Sequence, residues 1–201
     1  LTSLVGSEMC IRDRSFIAQV TISIVIYFLV RFFYKNEKSL NIAVAIGCLS
    51  YILIYLLTYE FISILPTIHF MVTGLSLLFI FVAYNEIIFL ERKVKKIKEG
   101  ELLSLESFSV EKYYKVVFKL LGIGLFFLSL ALLSGLSLQT VFSSNLILTA
   151  IFTFLAWIIY LVVVVGIKYF NFPIKYATRS LFISMWAVLG AYYMNTYLVD
   201  S

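Results

Sequence analysis

The segment that decides the fold is residues 66–90, which read PTIHFMVTGLSLLFIFVAYNEIIFL. Glu86 is its only charged residue. The segment is longer than the roughly 20 apolar residues with which a helix crosses a bilayer core of about 30 Å. The following residues, ERKVKKIKEG at 91–100, are mostly charged. An apolar run that ends in a basic run is typical of a membrane-spanning helix that leaves the bilayer on its cytoplasmic side.

Five further stretches are similarly apolar, and they lie at 16–33, 40–59, 113–136, 145–167 and 174–198. The chain of 201 residues is 62% hydrophobic and 13% charged, whereas a soluble domain is about 45–50% apolar and about 25% charged. This composition excludes an ordinary soluble enzyme, a disordered chain and a disulfide scaffold. Because strands of membrane barrels are short and alternating, the long runs also argue against a barrel. The sequence predicts an all-α polytopic transmembrane helical bundle with six spans.

The basic residues support this division of the chain. Of the 16 Lys and Arg residues, all except Arg12 and Arg14 lie in or beside the first, third and fifth loops between spans. The positive-inside rule therefore predicts that these loops face the cytoplasm and that the C-terminus faces outward. We interpret the net charge of +5 as this topology signal and not as nucleic-acid binding. The basic run at 91–100 has two interpretations, a solvated helix end that sets topology or a contact with anionic lipid headgroups.

Residues 1–15, LTSLVGSEMCIRDRS, differ from the rest of the chain. Positions 5–14 resemble translated adapter sequence from a sequencing library. The segment also lacks the basic start and the small-residue cleavage site of a signal peptide. We expect residues 1–15 to be a disordered artefact, residues 16–201 to form a single transmembrane domain, and the chain to be an N-terminally truncated fragment.

His69 is the only histidine in the chain, and it lies about one turn into the third span. Thr73 and Ser76 follow at i+4 and i+7, so the three share a helix face that we expect to point into the bundle. We also expect Thr73 to help orient the ring. A lone imidazole there suits an axial haem ligand or a proton-handling group, but it equally suits a hydrogen-bonded contact between helices. Alone it makes neither a bis-histidine haem site nor a usual zinc site.

The other chemically active residue types form no recognisable motif. Cys10 and Cys48 lie far apart in the sequence and form no redox or metal motif. We interpret Glu86 as a helix-end acid whose carboxylate snorkels to water. No P-loop, Ser/His/Asp arrangement, HExxH motif or paired carboxylates are present. We therefore predict no enzymatic activity and no catalytic residue.

From Pro66 onward, several short segments follow one another in a recognisable order. They are PTIH at 66–69, LSLLFIFVAY at 75–84, SVE at 109–111, LSLALLSG at 128–135, LAWIIY at 155–160 and AYY at 191–193. By their order and spacing the chain resembles the cytochrome c assembly protein family, in particular its YpjD-like inner-membrane branch, which is related to the HemX and CcsA-type proteins.

The resemblance implies haem handling in the bacterial inner membrane, with haem as cofactor or cargo and other cytochrome c maturation proteins as partners beside the lipid bilayer. It carries over one site residue, His69, as a haem-binding residue and axial ligand of the haem iron. Two alternatives stay open. One is a small-solute transporter subunit in which His69 and Glu86 line a path. The other is a non-catalytic membrane scaffold that regulates haem biosynthesis, with a purely structural His69.

Overall fold

The computed structural model describes residues 2–33, 37–58, 64–99, 110–138, 144–170 and 173–198, and within these ranges the chain is helical with no strand. Side chains are described for 16–33, 40–58, 64–99, 111–137, 147, 149–170, 173 and 175–193. The helices are α1 (Thr2–Phe33), α2 (Glu37–Thr58), α3 (Ile64–Lys98), α4 (Val110–Leu138), α5 (Ser144–Phe170) and α6 (Ile174–Leu198). The predicted all-α bundle is confirmed, and each predicted span coincides with one helix.

Five of these helices, α1 to α5, contain windows long and apolar enough to cross a membrane. The protein is therefore a multi-pass membrane protein by the length and composition of its helices. Helix α6 is not among the five, because Lys175 and Arg179 lie in its first turns and Thr178, Ser180 and Ser184 dilute the rest. Its 25 residues are long enough to span a bilayer at about 1.5 Å per residue, and the sixth span stays a prediction.

Helix α3 is the central element of the bundle. Half of its candidate span is buried inside the protein, against about a third or less for the other four. Consecutive helices form the antiparallel hairpins α1–α2, α3–α4 and α5–α6, and α3 also packs against α1, α2 and α6. The α1–α2 hairpin meets the other helices chiefly through α3. The molecule is thus a four-helix body, α3 to α6, with a two-helix hairpin attached to its central helix.

The distribution of polar side chains is inverted relative to a soluble protein. Large apolar residues such as Phe33, Leu57 and Ile64 are about three-quarters exposed on the outer surface. Gln19, Ser23, Ser76, Glu86 and Ser184 are buried between helices. This arrangement suits lipid surroundings, because apolar side chains cost nothing against acyl chains and polar ones find partners only inside.

Two local features extend beyond the predicted spans. Helix α3 continues to Lys98 and closes with a bond from the Glu99 amide to the Lys95 carbonyl at 3.0 Å. The basic run at 91–98 is thus a helical extension of the span, as the sequence predicts. Helix α1 begins at Thr2, so the backbone is helical where the sequence analysis expects disorder. Extending an existing helix adds one hydrogen bond per residue fixed, which favours such continuation. The assignment of 1–15 as an artefact stays a prediction.

Candidate functional site

The His69 ring lies at the start of α3, where it packs against the end of α4. Helix α3 begins at Ile64, and Pro66 occupies its first turn, where no intrahelical donor is needed. One turn later the half-buried imidazole places Nδ1 2.9 Å from the Ser134 hydroxyl oxygen. Gly135 permits this approach, because a Cβ built there would lie 3.1 Å from Cε1 of the ring. A side chain at position 135 would push the imidazole away from Ser134.

The Ser134 hydroxyl lies between two partners, since its oxygen is 2.9 Å from Nδ1 of His69 and 3.1 Å from the Ala131 carbonyl oxygen. When this hydroxyl donates to Ala131, it accepts from an imidazole that is protonated on Nδ1, and Nε2 then keeps its lone pair. A histidine held through one nitrogen, with the other free to coordinate, is the arrangement that metal-ligating imidazoles adopt.

The expected role of Thr73 in orienting the ring is wrong. Its hydroxyl donates to the His69 backbone carbonyl at 2.7 Å, and the Ser76 hydroxyl donates to the Thr73 carbonyl at 2.8 Å. Both side chains therefore satisfy their hydrogen bonds within α3, as hydroxyls in apolar helices commonly do. Ser134, on a neighbouring helix 65 residues away in sequence, takes the role expected of Thr73.

Aromatic side chains from three helices adjoin His69 at this end of the bundle. The ring of Phe70 lies edge-on to the imidazole, with centroids 5.8 Å apart. Phe16 of α1 contacts Phe70 at 6.1 Å and stacks on Tyr192 of α6 at 5.3 Å. His69 thus lies beside a cluster of aromatic rings that pack against one another, with Phe16 buried in the core.

The donor set near His69 limits what the site can hold. No group of three or more His, Cys, Asp or Glu side chains that would hold a bare metal ion occurs in the part of the chain that the structure describes. A single imidazole with a hydrogen-bonded second nitrogen would fit one axial position of a haem, because the equatorial ligands of the iron belong to the macrocycle. His69 as a haem ligand stays a prediction.

A second polar cluster lies at the other end of α3, centred on Glu86. The interpretation of Glu86 as a snorkelling acid is wrong, because the residue is only 3% exposed. Arg31 of α1 donates to it through Nε at 3.0 Å and through a terminal nitrogen at 3.5 Å. The Tyr27 and Tyr113 hydroxyls also donate to its carboxylate. A carboxylate inside an apolar bundle needs such a set of partners to stay charged.

The His69 and Glu86 sites are far apart along α3. Positions 69 and 86 are separated by 17 residues, which corresponds to about 26 Å at about 1.5 Å per residue. The pairing of His69 with Ser134 and of Glu86 with Tyr113 shows that α3 and α4 run antiparallel. The two candidate sites therefore occupy opposite ends of the bundle, and each contains contacts to α4.

Sequence reasoning missed the Glu86 cluster because its parts lie on three helices. The charge pattern counts Arg31 only as one of the basic residues in or beside the first loop, and the structure places it in the last turn of α1. Tyr27 precedes Arg31 by four residues, so the two share a helix face. A tyrosine and an arginine on one face of a span, with a lone acid at the same membrane depth of another span, is the signal that would have indicated the pair.

Comparisons with protein-family models, with curated proteins and with solved structures found no match to this chain.

Proposed function

We propose that this protein handles haem in the bacterial inner membrane, in support of cytochrome c assembly, with His69 as an axial ligand. The observation that carries the proposal is the hydrogen bond of 2.9 Å between Nδ1 of His69 and Ser134. It orients the ring, and in the tautomer that is protonated on Nδ1 it leaves Nε2 with the lone pair that a haem iron needs.

The surroundings of His69 are apolar and aromatic, as the surroundings of a bound haem are expected to be. Phe70 of α3 adjoins the imidazole, and Phe16 of α1 and Tyr192 of α6 continue the same cluster of rings. In this proposal haem is cargo, so the chain binds and orients it without chemistry of its own. A second axial ligand is not proposed from this chain, because His69 is its only histidine. Binding by the isolated chain should consequently be weak and should strengthen when free imidazole is added.

The test is an equilibrium titration of hemin into the 201-residue chain in lipid nanodiscs, recorded as a difference spectrum against protein-free nanodiscs. We expect a saturable Soret band that moves on addition of imidazole and is lost in His69→Ala. Ser134→Ala keeps the ligand but removes its orienting partner, so its affinity should fall about 10–100-fold. Thr73→Val is the matched control, because Thr73 lies on the same helix face and bonds only its own backbone.

Equal haem binding and equal spectra in wild type and His69→Ala would contradict the proposal and would favour the scaffold alternative. The transporter alternative requires His69 and Glu86 to line one path. Glu86 is already occupied by Arg31 and two tyrosines about 26 Å from His69. This separation and this occupancy favour the haem proposal over the transporter.

A further inference from the structure

We propose that the groove between α4 and α5 at the basic end of the bundle binds one anionic phospholipid. The basic end is the end at which α3 and α5 end and α4 and α6 begin. Lys119 of α4 and Lys168 of α5 contact the phosphate of the headgroup, and one acyl chain lies against an apolar pocket beside them. This inference is independent of haem binding, since His69 lies at the opposite end of the bundle.

Two contacts define how α4 packs against α5. The indole Nε1 of Trp157 on α5 donates to the Ser129 hydroxyl of α4 at 2.8 Å. Nearer the basic end, Tyr160 adjoins Gly124, since a Cβ built on that glycine would lie 2.6 Å from the tyrosine hydroxyl oxygen. Residue numbers rise along α5 as they fall along α4, so the two helices run antiparallel. A residue on one helix is thereby placed at the depth of a residue on the other.

This register places Lys119 and Lys168 at nearly the same depth. Lys168 follows Trp157 by 11 residues, or about 17 Å, and Lys119 precedes Ser129 by 10 residues, or about 15 Å. Because 11 residues are close to three helical turns, Lys168 shares the face of Trp157, and Phe118 shares the face of Ser129. Lys119 adjoins Phe118 in the chain. The two lysines therefore flank the groove between α4 and α5 from its two sides.

The charge at this groove is positive and uncompensated by an acid. Lys119 and Lys168 are exposed, and no acid in the described residues pairs with either of them. Glu111 is the only acid of α4, α5 has none, and Glu111 lies 2.7 Å from Lys115 near the start of α4. Lys119 belongs to a candidate membrane span, where a cation is costly unless its side chain reaches an anion near the bilayer surface. A lipid phosphate supplies that anion.

An apolar pocket adjoins the two lysines. It has an empty volume of about 280 Å³, part of which is open to the surroundings, and no charged residue lines it. Its two half-buried lining residues, Tyr114 and Phe118, both belong to α4, so the pocket opens beside that helix. Ile167 lines it from α5. Since Phe118 and Ile167 are the chain neighbours of Lys119 and Lys168, the cations lie beside the opening.

Charge complementarity selects an anionic phospholipid as the occupant. Such a lipid carries a phosphate without a compensating ammonium group, together with an acyl chain that suits the apolar pocket. A zwitterionic lipid would bring its own cation towards two lysines. A second copy of this chain, packed through the same face, would bring four lysines together, and like charges in contact oppose association. Basic pockets between transmembrane helices on the cytoplasmic side are sites of anionic headgroups in membrane proteins.

Lys96 and Lys98 on the extension of α3 carry similar charge away from this groove. Both are exposed. Glu86 accepts a hydrogen bond from Tyr113 of α4, which relates depths on α3 to depths on α4. Lys96 lies 10 residues beyond Glu86 towards the water, whereas Lys119 lies 6 residues beyond Tyr113 in the opposite direction. The two levels therefore differ by about 20–25 Å along the bundle.

The test is native mass spectrometry of the 201-residue chain in detergent, titrated with phosphatidylglycerol or with phosphatidylcholine of the same acyl chains. We expect the wild type to bind the first phosphatidylglycerol more tightly than the first phosphatidylcholine. Lys119→Gln/Lys168→Gln should weaken the first phosphatidylglycerol about 30-fold, or about fivefold for each lysine, and should leave phosphatidylcholine unchanged. Lys119→Arg/Lys168→Arg keeps both charges and should bind as the wild type does.

A second variant tests the acyl chain without changing the charge. Gly122 lies one turn inside Lys119 on α4 and is exposed, and a Cβ built there meets no atom outside the local helix backbone within 4 Å. The ring of Gly122→Trp would occupy the groove, so binding of phosphatidylglycerol should fall. Leu133→Trp is the matched control, because Leu133 is 60% exposed and lies on the same face of α4 about three turns away.

Lys96→Gln/Lys98→Gln removes the same charge from the same end and should leave the affinity for phosphatidylglycerol within about twofold, because neither lysine adjoins the groove. An equal loss in this control and in Lys119→Gln/Lys168→Gln would overturn the proposal, since the attraction would then be unspecific. Equal affinities of the wild type for the two lipids would overturn it as well. So would a dimer that replaces the lipid-bound species and that Gly122→Trp dissociates, because a second copy would then occupy the groove.

Discussion

Replacing Gly74 by alanine should separate the two helices that meet at Tyr51. Gly74 lies in the buried part of α3, and a Cβ built on it would overlap the hydroxyl and ring carbons of Tyr51 from α2. Tyr51 is fully buried and its hydroxyl bonds the Phe70 carbonyl. Gly74→Ala would therefore displace the ring and break this bond.

The magnitude follows from two losses and one gain. Overpacking a close-packed core costs about 1–3 kcal/mol, and loss of the tyrosine hydrogen bond costs about 0.5–1.5 kcal/mol. Alanine returns about 0.5–1 kcal/mol through its better helix propensity. We therefore expect Gly74→Ala to lower the free energy of unfolding by about 2 kcal/mol, within the range of about 0.5–4 kcal/mol that these terms span. The measurement is SDS titration in mixed micelles with far-UV circular dichroism.

Two variants test the reasoning behind this figure. Gly122→Ala makes the same chemical change where no atom outside the local helix backbone lies within 4 Å of the new Cβ, so it should cost nothing and should gain about 0.5–1 kcal/mol from helix propensity. In a Tyr51→Leu background, Gly74→Ala should cost much less, because the overlapping atoms are gone and neighbouring substitutions are non-additive. If Gly74→Ala is as harmless as Gly122→Ala in the wild-type background, the close approach of Tyr51 is refuted.

Three further outcomes are expected. Tyr160→Phe removes a buried hydroxyl that has no hydrogen-bond partner among the described residues. The free energy of unfolding should therefore stay equal or rise by about 1 kcal/mol. A fall of about 1 kcal/mol in the free energy of unfolding would show that the hydroxyl has a partner. Trp157→Phe removes a bond of 2.8 Å to the Ser129 hydroxyl and should cost about 0.5–1.5 kcal/mol, with no further cost when Ser129→Ala is added. Single cysteines after Gly100 and Ser137 should react with impermeant reagents from opposite sides of the membrane, and reaction from the same side would contradict the predicted topology.

Much of the fold was predictable because a membrane span can be identified from the hydropathy of consecutive residues along the chain. Backbone groups in hydrocarbon must bond within their own helix, so an apolar run of sufficient length has one structural solution. Each of the six predicted spans coincides with a helix, and the basic run at 91–98 continues α3 as expected. Helix α6 forms at the predicted position but is less apolar than the other five helices in its span, since it contains Lys175 and Arg179.

The sites were predictable only in part. His69 stands out in the sequence because it is the only histidine and lies in a span. Its partner Ser134 does not stand out, because a serine in an apolar helix more often bonds its own backbone. Thr73 was the expected partner from its spacing, but spacing along one helix says nothing about which neighbouring helix supplies a donor.

By itself, the sequence determined the helices, their approximate ends and the side of the membrane that each loop is predicted to face, because those properties depend on hydropathy and charge along the chain. Only the tertiary structure decided that Arg31 and Glu86 form a pair, since a charge in a span is equally compatible with snorkelling to water and with burial against a partner. The outcome depends on how α1, α3 and α4 approach one another, and that approach is set by side-chain packing such as Gly135 against His69 and Gly74 against Tyr51. Packing of this kind depends on shape in three dimensions, which leaves no periodic signal in the sequence.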